Sequence, residues 1–168
     1  MVASAPLLWL RTAGAQAWPS RPIRLVVPLA PGATADIVAR LFAEELGKSL
    51  GQTVIVDNKT GAGGTIATAE AARAAPDGYT LLLISQGTMV FNIGLYKAPG
   101  YDTLKDFMPV AVSGGVSNVL IVSPDNPAKS VSDLLAQARA RPGELTYSSG
   151  GVGTSHTCRA CCWSCVPA

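Results

Sequence analysis

The sequence has 168 residues, 48% of them hydrophobic and 14% charged, with a formal net charge of +2 at pH 7. This length allows one good domain, or a domain and part of a second, and the apolar content is typical of a globular chain rather than a disordered one. The small net charge and the scattered basic residues argue against a nucleic-acid partner. No apolar run approaches the ~20 residues that a membrane-spanning helix requires.

The first 17 residues are typical of a secretory signal peptide. An apolar stretch, Ala3–Leu10, is followed by Ala15–Ala17, which has the small-x-small form of a cleavage site. No Lys or Arg precedes the apolar stretch, so a disordered N-terminal tail remains the alternative. If export is correct, the mature chain begins near Trp18 and works in the periplasm.

The stretch Ile23–Leu50 predicts a buried strand, a glycine turn and a long helix. Pro28 and Pro31 end the strand, Gly32 permits a sharp turn, and Thr34 then stands where an N-cap is needed. One apolar stripe of the helix is expected to be buried: Ile37, Val38, Leu41, Phe42, Leu46 and Leu50. A second stripe, of alternating charge, is expected to face solvent: Asp36, Arg40, Glu44 and Lys48.

The same order of strand, loop and helix recurs after this helix. Thr53–Val56 predicts a second strand, Ile66–Ala75 an alanine-rich helix and Tyr79–Ser85 a third buried strand. Strands that alternate with helices indicate a parallel α/β sheet with right-handed crossovers.

The pattern changes at Ala98–Asp102, which predicts a crossing between two lobes. Beyond the crossing, the sequence predicts a helix over Val131–Ala140, capped by Ser130. Three further strands are predicted: Met108–Val112, Asn118–Ser123 and Leu145–Tyr147.

Three loops rich in Gly, Ser or Thr follow predicted strands: Pro31–Asp36, Asn58–Thr65 and Ser148–Ser155. In open α/β sheets, ligands bind outside the carboxyl ends of the strands, where such loops gather. Glycines allow close approach of the backbone, hydroxyls donate hydrogen bonds, and helix N-termini favour negative charge. The loops therefore predict a site for a small anion or a carboxylate, with an ordinary β–α junction as the alternative for the first loop.

Sequence motifs for nucleotide binding and catalysis are missing. There is no G-x-x-x-x-G-K-[ST], and Ile66 occupies the position of the third glycine in a G-x-G-x-x-G that starts at Gly61. His156 is the only histidine, and no serine lies within G-x-S-x-G. Binding without catalysis and without a cofactor is favoured over the alternative, a small nucleotide-binding α/β enzyme.

Six stretches carry a family resemblance: Trp18–Pro28, Ala30–Gly32 with Asp36–Arg40, Gly61–Gly64, Ala75–Leu82, Lys105–Phe107 and Gly153–His156. They resemble the Bug proteins, the periplasmic substrate-binding receptors of tripartite tricarboxylate transporters. The resemblance implies a two-lobed α/β fold of the type II periplasmic-binding-protein class, with no enzymatic activity and no cofactor. The first lobe, 18–100, would be nearly complete and the second lobe, 101–156, partial.

The resemblance also implies a monomer that binds a small carboxylate and delivers it to a membrane permease. Two loops would bind the carboxylate through backbone N–H groups and ordered water: Pro31, Gly32, Ala33, Thr34 and Asp36, and Gly61, Ala62, Gly63, Gly64 and Thr65. Ser85 and Thr88 would flank the cleft, while Ser148, Ser149 and Thr154 would reach in from the second lobe. Ala33 departs from the family, which usually has glycine there, and its methyl group is expected to disfavour a positive φ.

Residues 157–168 differ in composition from the rest of the chain and contain all four cysteines. Zinc modules normally separate their two Cys pairs by a long loop, whereas Cys158–Cys161 directly abuts Cys162–Cys165. An oxidising periplasm also favours disulfides, so a metal-binding or redox tail is the weaker hypothesis. The stronger one is a frameshift just after His156, which would leave the receptor C-terminally truncated and impaired in binding.

Overall fold

The structure, a computed structural model, describes residues 17–115, 117, 119–149, 152, 154 and 157. Its strands and α-helices, in chain order, are β1 (Ile23–Val27), α1 (Thr34–Leu50), β2 (Val54–Asn58), α2 (Thr65–Ala72), β3 (Thr80–Leu82), α3 (Asn92–Leu95) and α4 (Val131–Ala140). A 3-10 turn, Ala62–Gly64, leads into α2, and a π-helical turn, Gly87–Phe91, leads into α3. Among the described residues, none of the helices has the length and apolar character of a membrane span.

The strands form a three-stranded parallel sheet in the order β2-β1-β3. The central strand β1 pairs from Ile23 opposite Val54 to Val27 opposite Asn58, and it pairs with β3 on its other side. Ile23, Val26 and Val27 are fully buried, as expected for the apolar residues of a strand covered on both faces, whereas Arg24 is half-buried. The predicted parallel α/β sheet is confirmed.

Helix α1 packs on the sheet through small side chains. Ala39 and Ala43 join Leu25 and Val27 in one buried cluster. The prediction that a stripe of large residues is buried is wrong for three of them, Ile37, Leu41 and Phe42, which are exposed. The other three members of that stripe, Val38, Leu46 and Leu50, are half-buried.

The face of α1 that turns towards the sheet is explained by Asp36, a member of its charged stripe. Arg40, Glu44 and Lys48 are exposed as predicted, but Asp36 is buried, so the prediction that it faces solvent is wrong. Asp36, Ala39 and Ala43 lie three or four residues apart and share one face of the helix. Because the Asp36 carboxylate bonds to the preceding loop, this face turns inward and the large apolar residues next to it turn outward.

A network of charges ties α2 to the sheet. The Arg24 guanidinium of β1 donates to Asp57 of β2 at 2.7 Å and also contacts Glu70 of α2. Lys59 Nζ, just beyond β2, donates to Glu70 at 2.7 Å. These four side chains are each about one-third exposed. The network therefore links β1, β2 and α2 at the protein surface and not in the core.

The second half of the chain differs more from expectation. Helix α4 is confirmed, and the Ser130 hydroxyl accepts the Asp133 N–H at 3.2 Å as an N-cap. The described residues of the three segments predicted as strands here, Met108–Val112, Asn118–Ser123 and Leu145–Tyr147, are not in strands, and that prediction is wrong for them. A strand requires a neighbouring strand for its backbone hydrogen bonds, and none of the described residues supplies one here.

The two ends of the chain carry predictions that lie outside the described residues. These are the signal peptide over residues 1–17, apart from Ala17, and the Cys-rich tail over residues 157–168, apart from Thr157.

Candidate functional site

Three loops leave the same edge of the sheet because its strands are parallel. Val27 at the end of β1 pairs with Asn58 at the end of β2. Beyond these strand ends, the N–H groups of Lys59 and Leu83 donate to the carbonyls of Val27 and Val26 at 2.9 and 3.0 Å. The segments that follow β1, β2 and β3 therefore start side by side.

Gly64 lies where these three segments meet. Its φ is +91°, and a Cβ atom on it would lie 3.0 Å from Pro28 Cβ and 3.2 Å from Thr88 Oγ1. Thr88 is buried against this turn, and its hydroxyl lies 3.4 Å from that of Ser85, which is exposed. The positive φ favours glycine, and a methyl group here would require Pro28 and Thr88 to shift by a few tenths of an ångström, so the close approach of the loops depends on residue 64.

The first loop is closed by the side chain of Asp36. The Gly32 N–H donates to Asp36 Oδ2 at 2.8 Å. Thr34 is not the N-cap, contrary to the sequence prediction: Ala33 occupies that position, with no side-chain hydrogen bond, and Thr34 is already helical. The Ala33 φ of −68° is an ordinary value, so the expected conflict of its methyl group with a positive φ does not arise.

Asp36 gives this loop a fixed negative charge. The residue is only 3% exposed, and its carboxylate accepts from Arg40 Nε at 3.0 Å as well as from Gly32. Arg40 and, next, the Gly32 N–H lower the pKa of Asp36 to about 2, against the opposing effect of burial. At neutral pH the Asp36 carboxylate competes with an incoming anion for the Gly32 N–H. In the described structure, the N–H groups of Thr34 and Ala35 are the unbonded donors at the start of α1.

The second loop offers a cluster of free backbone donors. Gly61, Ala62, Gly63 and Gly64 all have positive φ values, of 129°, 45°, 61° and 91°. The turn is closed by the Gly64 N–H, which donates to the Gly61 carbonyl at 2.8 Å. Within the described part of the chain, the N–H groups of Gly61, Ala62 and Gly63 have no hydrogen-bond partner. Neighbouring N–H groups on one short turn are suited to binding an anion.

Part of the third loop reaches this turn. A Cβ atom on Gly63 would clash with the Val152 carbonyl, so the two backbones are in direct contact. The Ser149 and Thr154 hydroxyls lie 2.7 and 3.1 Å from that of Thr157. Ser148 is exposed beside Ser149, while Gly153, Ser155 and His156 are not among the described residues.

Metal binding finds no support in the described ranges. No group of three or more His, Cys, Asp or Glu side chains is arranged there to hold an ion. The four cysteines, on which the metal hypothesis depends, fall outside those ranges.

Comparison with protein families matches residues 38–161 to the tripartite tricarboxylate transporter family receptor. This match covers well over half of the chain. The chain belongs to this receptor family. The resemblance noted in the sequence is thereby confirmed, as is the type II periplasmic-binding-protein fold.

Relatives of known name agree with this assignment. The chain is 40% identical to Protein BugT of Bordetella pertussis in an alignment 154 residues long, which covers 88% of this chain and 47% of that protein. It is also 40% identical to the UPF0065 protein in the tcbD-tcbE intergenic region of a Pseudomonas species, over 83% of this chain and 41% of that protein. The chain thus spans about half the length of the curated relatives it matches.

Solved structures show the same relationship. Rpa4515 of R. palustris with adipate superposes with a TM-score of 0.76 at 40% identity, over 82% of this chain and 46% of that one. MatC of Rhodopseudomonas palustris with bound malate superposes with a TM-score of 0.76 at 36% identity, over 82% of this chain and 47% of MatC. The periplasmic binding protein BugD gives 0.71 at 35% identity, over 88% and 49%.

The sequence interpretation missed two buried residues of the receptor that contact the site loops, Asn92 and Tyr101. Asn92 Nδ2 donates to the Gly63 carbonyl at 2.9 Å, and the Tyr101 hydroxyl donates to the Thr88 carbonyl at 2.6 Å. The available signal was a single amide side chain in the apolar segment Met89–Tyr96. A polar group in such a segment is usually buried with a specific partner.

Proposed function

We propose that this receptor binds a small carboxylate at its glycine turns in the periplasm and delivers it to the permease of a tripartite tricarboxylate-type transporter. In this proposal it acts as a monomer and does not transform the solute. The ligand lies between a first lobe, 18–100, and the part of a second lobe present here, 101–156.

The observation that supports this proposal most directly is the turn after β2. Three neighbouring N–H groups, those of Gly61, Ala62 and Gly63, have no partner among the described residues, and Ser85, which follows β3, is exposed. A carboxylate accepts up to four hydrogen bonds, and charge-assisted bonds to backbone N–H groups are the stronger kind. The turn thus offers donors that a neutral solute would use less well.

The solved relatives support the same ligand class. One was determined with adipate and another with bound malate, and both are small dicarboxylates. They are 40% and 36% identical to this chain, and each match covers 82% of it.

The proposed roles of the site residues differ between loops. Gly61, Ala62 and Gly63 donate to the carboxylate, while Gly64, Thr65 and Thr88 shape the turn. Pro31, Gly32, Ala33 and Asp36 order the first loop, leaving the N–H groups of Thr34 and Ala35 as its donors. Ser85 lies at one side of the ligand, and Ser148, Ser149 and Thr154 lie at the other. Because Asp36 is negatively charged, the second loop is the primary carboxylate site.

Isothermal titration calorimetry tests the proposal. The protein is titrated with malate and with adipate, and 1,6-hexanediol serves as the uncharged counterpart of adipate. Saturable binding of at least one dicarboxylate, with none of the diol, is expected. ATP is titrated in parallel, since binding of ATP alone would favour a nucleotide-dependent enzyme. The absence of saturable heat with every carboxylate tested would refute the proposal.

The 168-residue polypeptide is expected to bind more weakly than its longer relatives. A cleft that closes on a ligand from two sides loses part of its contacts when one wall is shortened, and each lost hydrogen bond costs about 1 kcal/mol, or roughly fivefold in affinity. Parallel titration of Rpa4515 and this polypeptide with adipate measures the difference. Equal affinities would contradict the expectation that binding is impaired in this polypeptide. They would leave the proposal that the ligand is a carboxylate unchanged.

A further inference from the structure

Asn92 occupies an unusual position for an amide side chain. It is the first residue of α3 and is fully buried, as is Thr68 across the same lobe. Its Nδ2 group donates to the Gly63 carbonyl at 2.9 Å, and its Oδ1 atom has no partner among the described atoms. Burying an amide with one unsatisfied oxygen costs free energy. The hydrogen bond from Asn92 Nδ2 to the Gly63 carbonyl has to offset part of this cost.

The residue at the other end of this bond is in the middle of the glycine turn. Gly63 has a φ of +61° and lies between Ala62 at +45° and Gly64 at +91°. Ala62 is the unfavourable member, because a non-glycine residue with positive φ is strained. A turn of this kind needs an external contact to stay in one shape, and the Asn92 amide supplies it at the central carbonyl.

Asn92 is itself held from the crossing segment that follows α3. The Tyr101 hydroxyl donates to the Thr88 carbonyl at 2.6 Å, and the Thr103 hydroxyl donates to the Met89 carbonyl at 2.9 Å. Both carbonyls belong to the π-helical turn directly before Asn92, and both hydroxyl-bearing residues are buried. Burial raises the pKa of Tyr101, and the Asn92 side chain opposes this rise, as expected for an amide next to the phenol.

We propose that Asn92 is a positioning residue, held by Tyr101, that fixes the Gly61–Gly64 turn through the Gly63 carbonyl and so keeps the free N–H groups of the turn presented to the ligand. The inference rests on the proposed function only in taking this turn as the ligand site. It extends the proposed function by identifying Asn92, a side chain outside the turn, as the group that fixes the conformation of the turn.

Amide hydrogen exchange in the full 168-residue chain, measured by NMR without ligand, tests the inference. The reporters are the N–H groups of Gly64 and Thr65, which are bonded within the turn to the carbonyls of Gly61 and Ala62. The references are the N–H groups of Ile23 and Arg24, which are bonded across the sheet to Thr53 and Tyr79. Asn92→Ala is expected to speed exchange of the reporters about fivefold relative to the references, the effect of one lost hydrogen bond.

Asn92→Asp provides a rescue that a purely space-filling role would not show. Burial keeps the introduced carboxyl protonated at pH 5, so it donates to the Gly63 carbonyl and exchange stays close to wild type. At pH 8 the carboxylate has no proton to donate, and after correction for intrinsic rates exchange is as fast as in Asn92→Ala. Tyr96 and Tyr101 are the titratable residues beside this position, and burial raises the pKa of Tyr101 above its ordinary value.

Asn126→Asp is the matched control, because the Asn126 side chain accepts the Ala128 N–H at 2.9 Å, donates to no described residue and lies in a remote turn. It should leave Gly64 and Thr65 unchanged at both pH values. Unchanged reporter exchange in Asn92→Ala, or an equal rise at Ile23 and Arg24, would overturn the inference. Wild-type protein that binds no carboxylate would overturn the proposed function alone, since the exchange results do not depend on ligand.

Discussion

At the scale of single residues, the turn after β2 depends on the absence of a side chain at Gly64. Its φ of +91° is unfavourable for other residues, and a methyl group here would contact Pro28 and Thr88 more closely than side chains normally pack. Both effects act at the junction of three loops, so a change there disturbs each of them.

Gly64→Ala is therefore expected to destabilise the fold by about 1–3 kcal/mol, the range for a strained backbone position. Urea denaturation measures the free energy of unfolding. Gly94→Ala is the control, because Gly94 is helical, exposed and has open space around it. The control should be neutral or gain up to about 1 kcal/mol. Equal stability of Gly64→Ala and wild type would contradict the close approach of the loops.

Asp36 predicts a pH dependence of stability at the same scale. Its pKa falls from 3.8 to about 2 on folding, so it stabilises the folded state fully above pH 4. This contribution is lost as the pH falls through the folded value near 2. The difference in unfolding free energy between wild type and Asp36→Asn should shrink between pH 5 and pH 2, as followed by urea denaturation at each pH. A difference that stays constant over this range would rule out the role given to Asp36.

At the scale of elements, α2 is held to the sheet by charge as well as by packing. Glu70 accepts from Lys59 and from Arg24, and these two contacts, Lys59 first, lower the pKa of Glu70. Because Glu70 is over one-third exposed, solvent screens these interactions and their energy is modest.

Glu70→Gln is expected to cost about 0.5–1 kcal/mol at low salt and less at 0.5 M NaCl, where charges are screened. Chemical denaturation at both salt concentrations checks the value. Glu45→Gln, which removes an exposed contact to Lys48, should cost no more than a few tenths of a kcal/mol. A loss for Glu70→Gln that is independent of salt would indicate packing rather than charge.

The elements also show what a sequence can and cannot predict. The mainly apolar, β-branched character of Ile23–Val27 and the alternation of strands with helices were sufficient to predict the parallel sheet, because both are local patterns. The inward face of α1 was mispredicted, since it depends on a bond between Asp36 and Gly32 that periodicity does not reveal. The glycine-rich loop Gly61–Gly64 was recognised from composition, whereas its support by Asn92 depends on residues distant in sequence.

At the scale of the whole molecule, apolar side chains of the second half are left uncovered. Met108, Val110 and Val112 are 85%, 84% and 94% exposed, and Val119 and Ile121 are also exposed. Exposed apolar surface on this scale is unusual for a folded chain. The strands predicted here required partner strands that the described residues do not provide, which is why the sequence pattern alone was misleading.

The 168-residue chain is therefore expected to bind an apolar fluorescent dye such as 1-anilinonaphthalene-8-sulfonate. The double substitution Val110→Asp and Val112→Asp should reduce the fluorescence clearly and leave the melting temperature within about 2 °C, since exposed positions contribute little to stability. Wild-type fluorescence no higher than that of hen lysozyme would contradict this exposure.

The parallel arrangement of the sheet also determines the order in which the molecule is assembled. The central strand β1 is synthesised first, yet each of its partners is separated from it by a helix and tens of residues. No hairpin can nucleate such a sheet, so long loops must close before any strand pair forms, and folding of this kind is slow. In a newly synthesised chain, β1 therefore stays unpaired until β2 and β3 have been made. During this time its apolar side chains are exposed and accessible to chaperones.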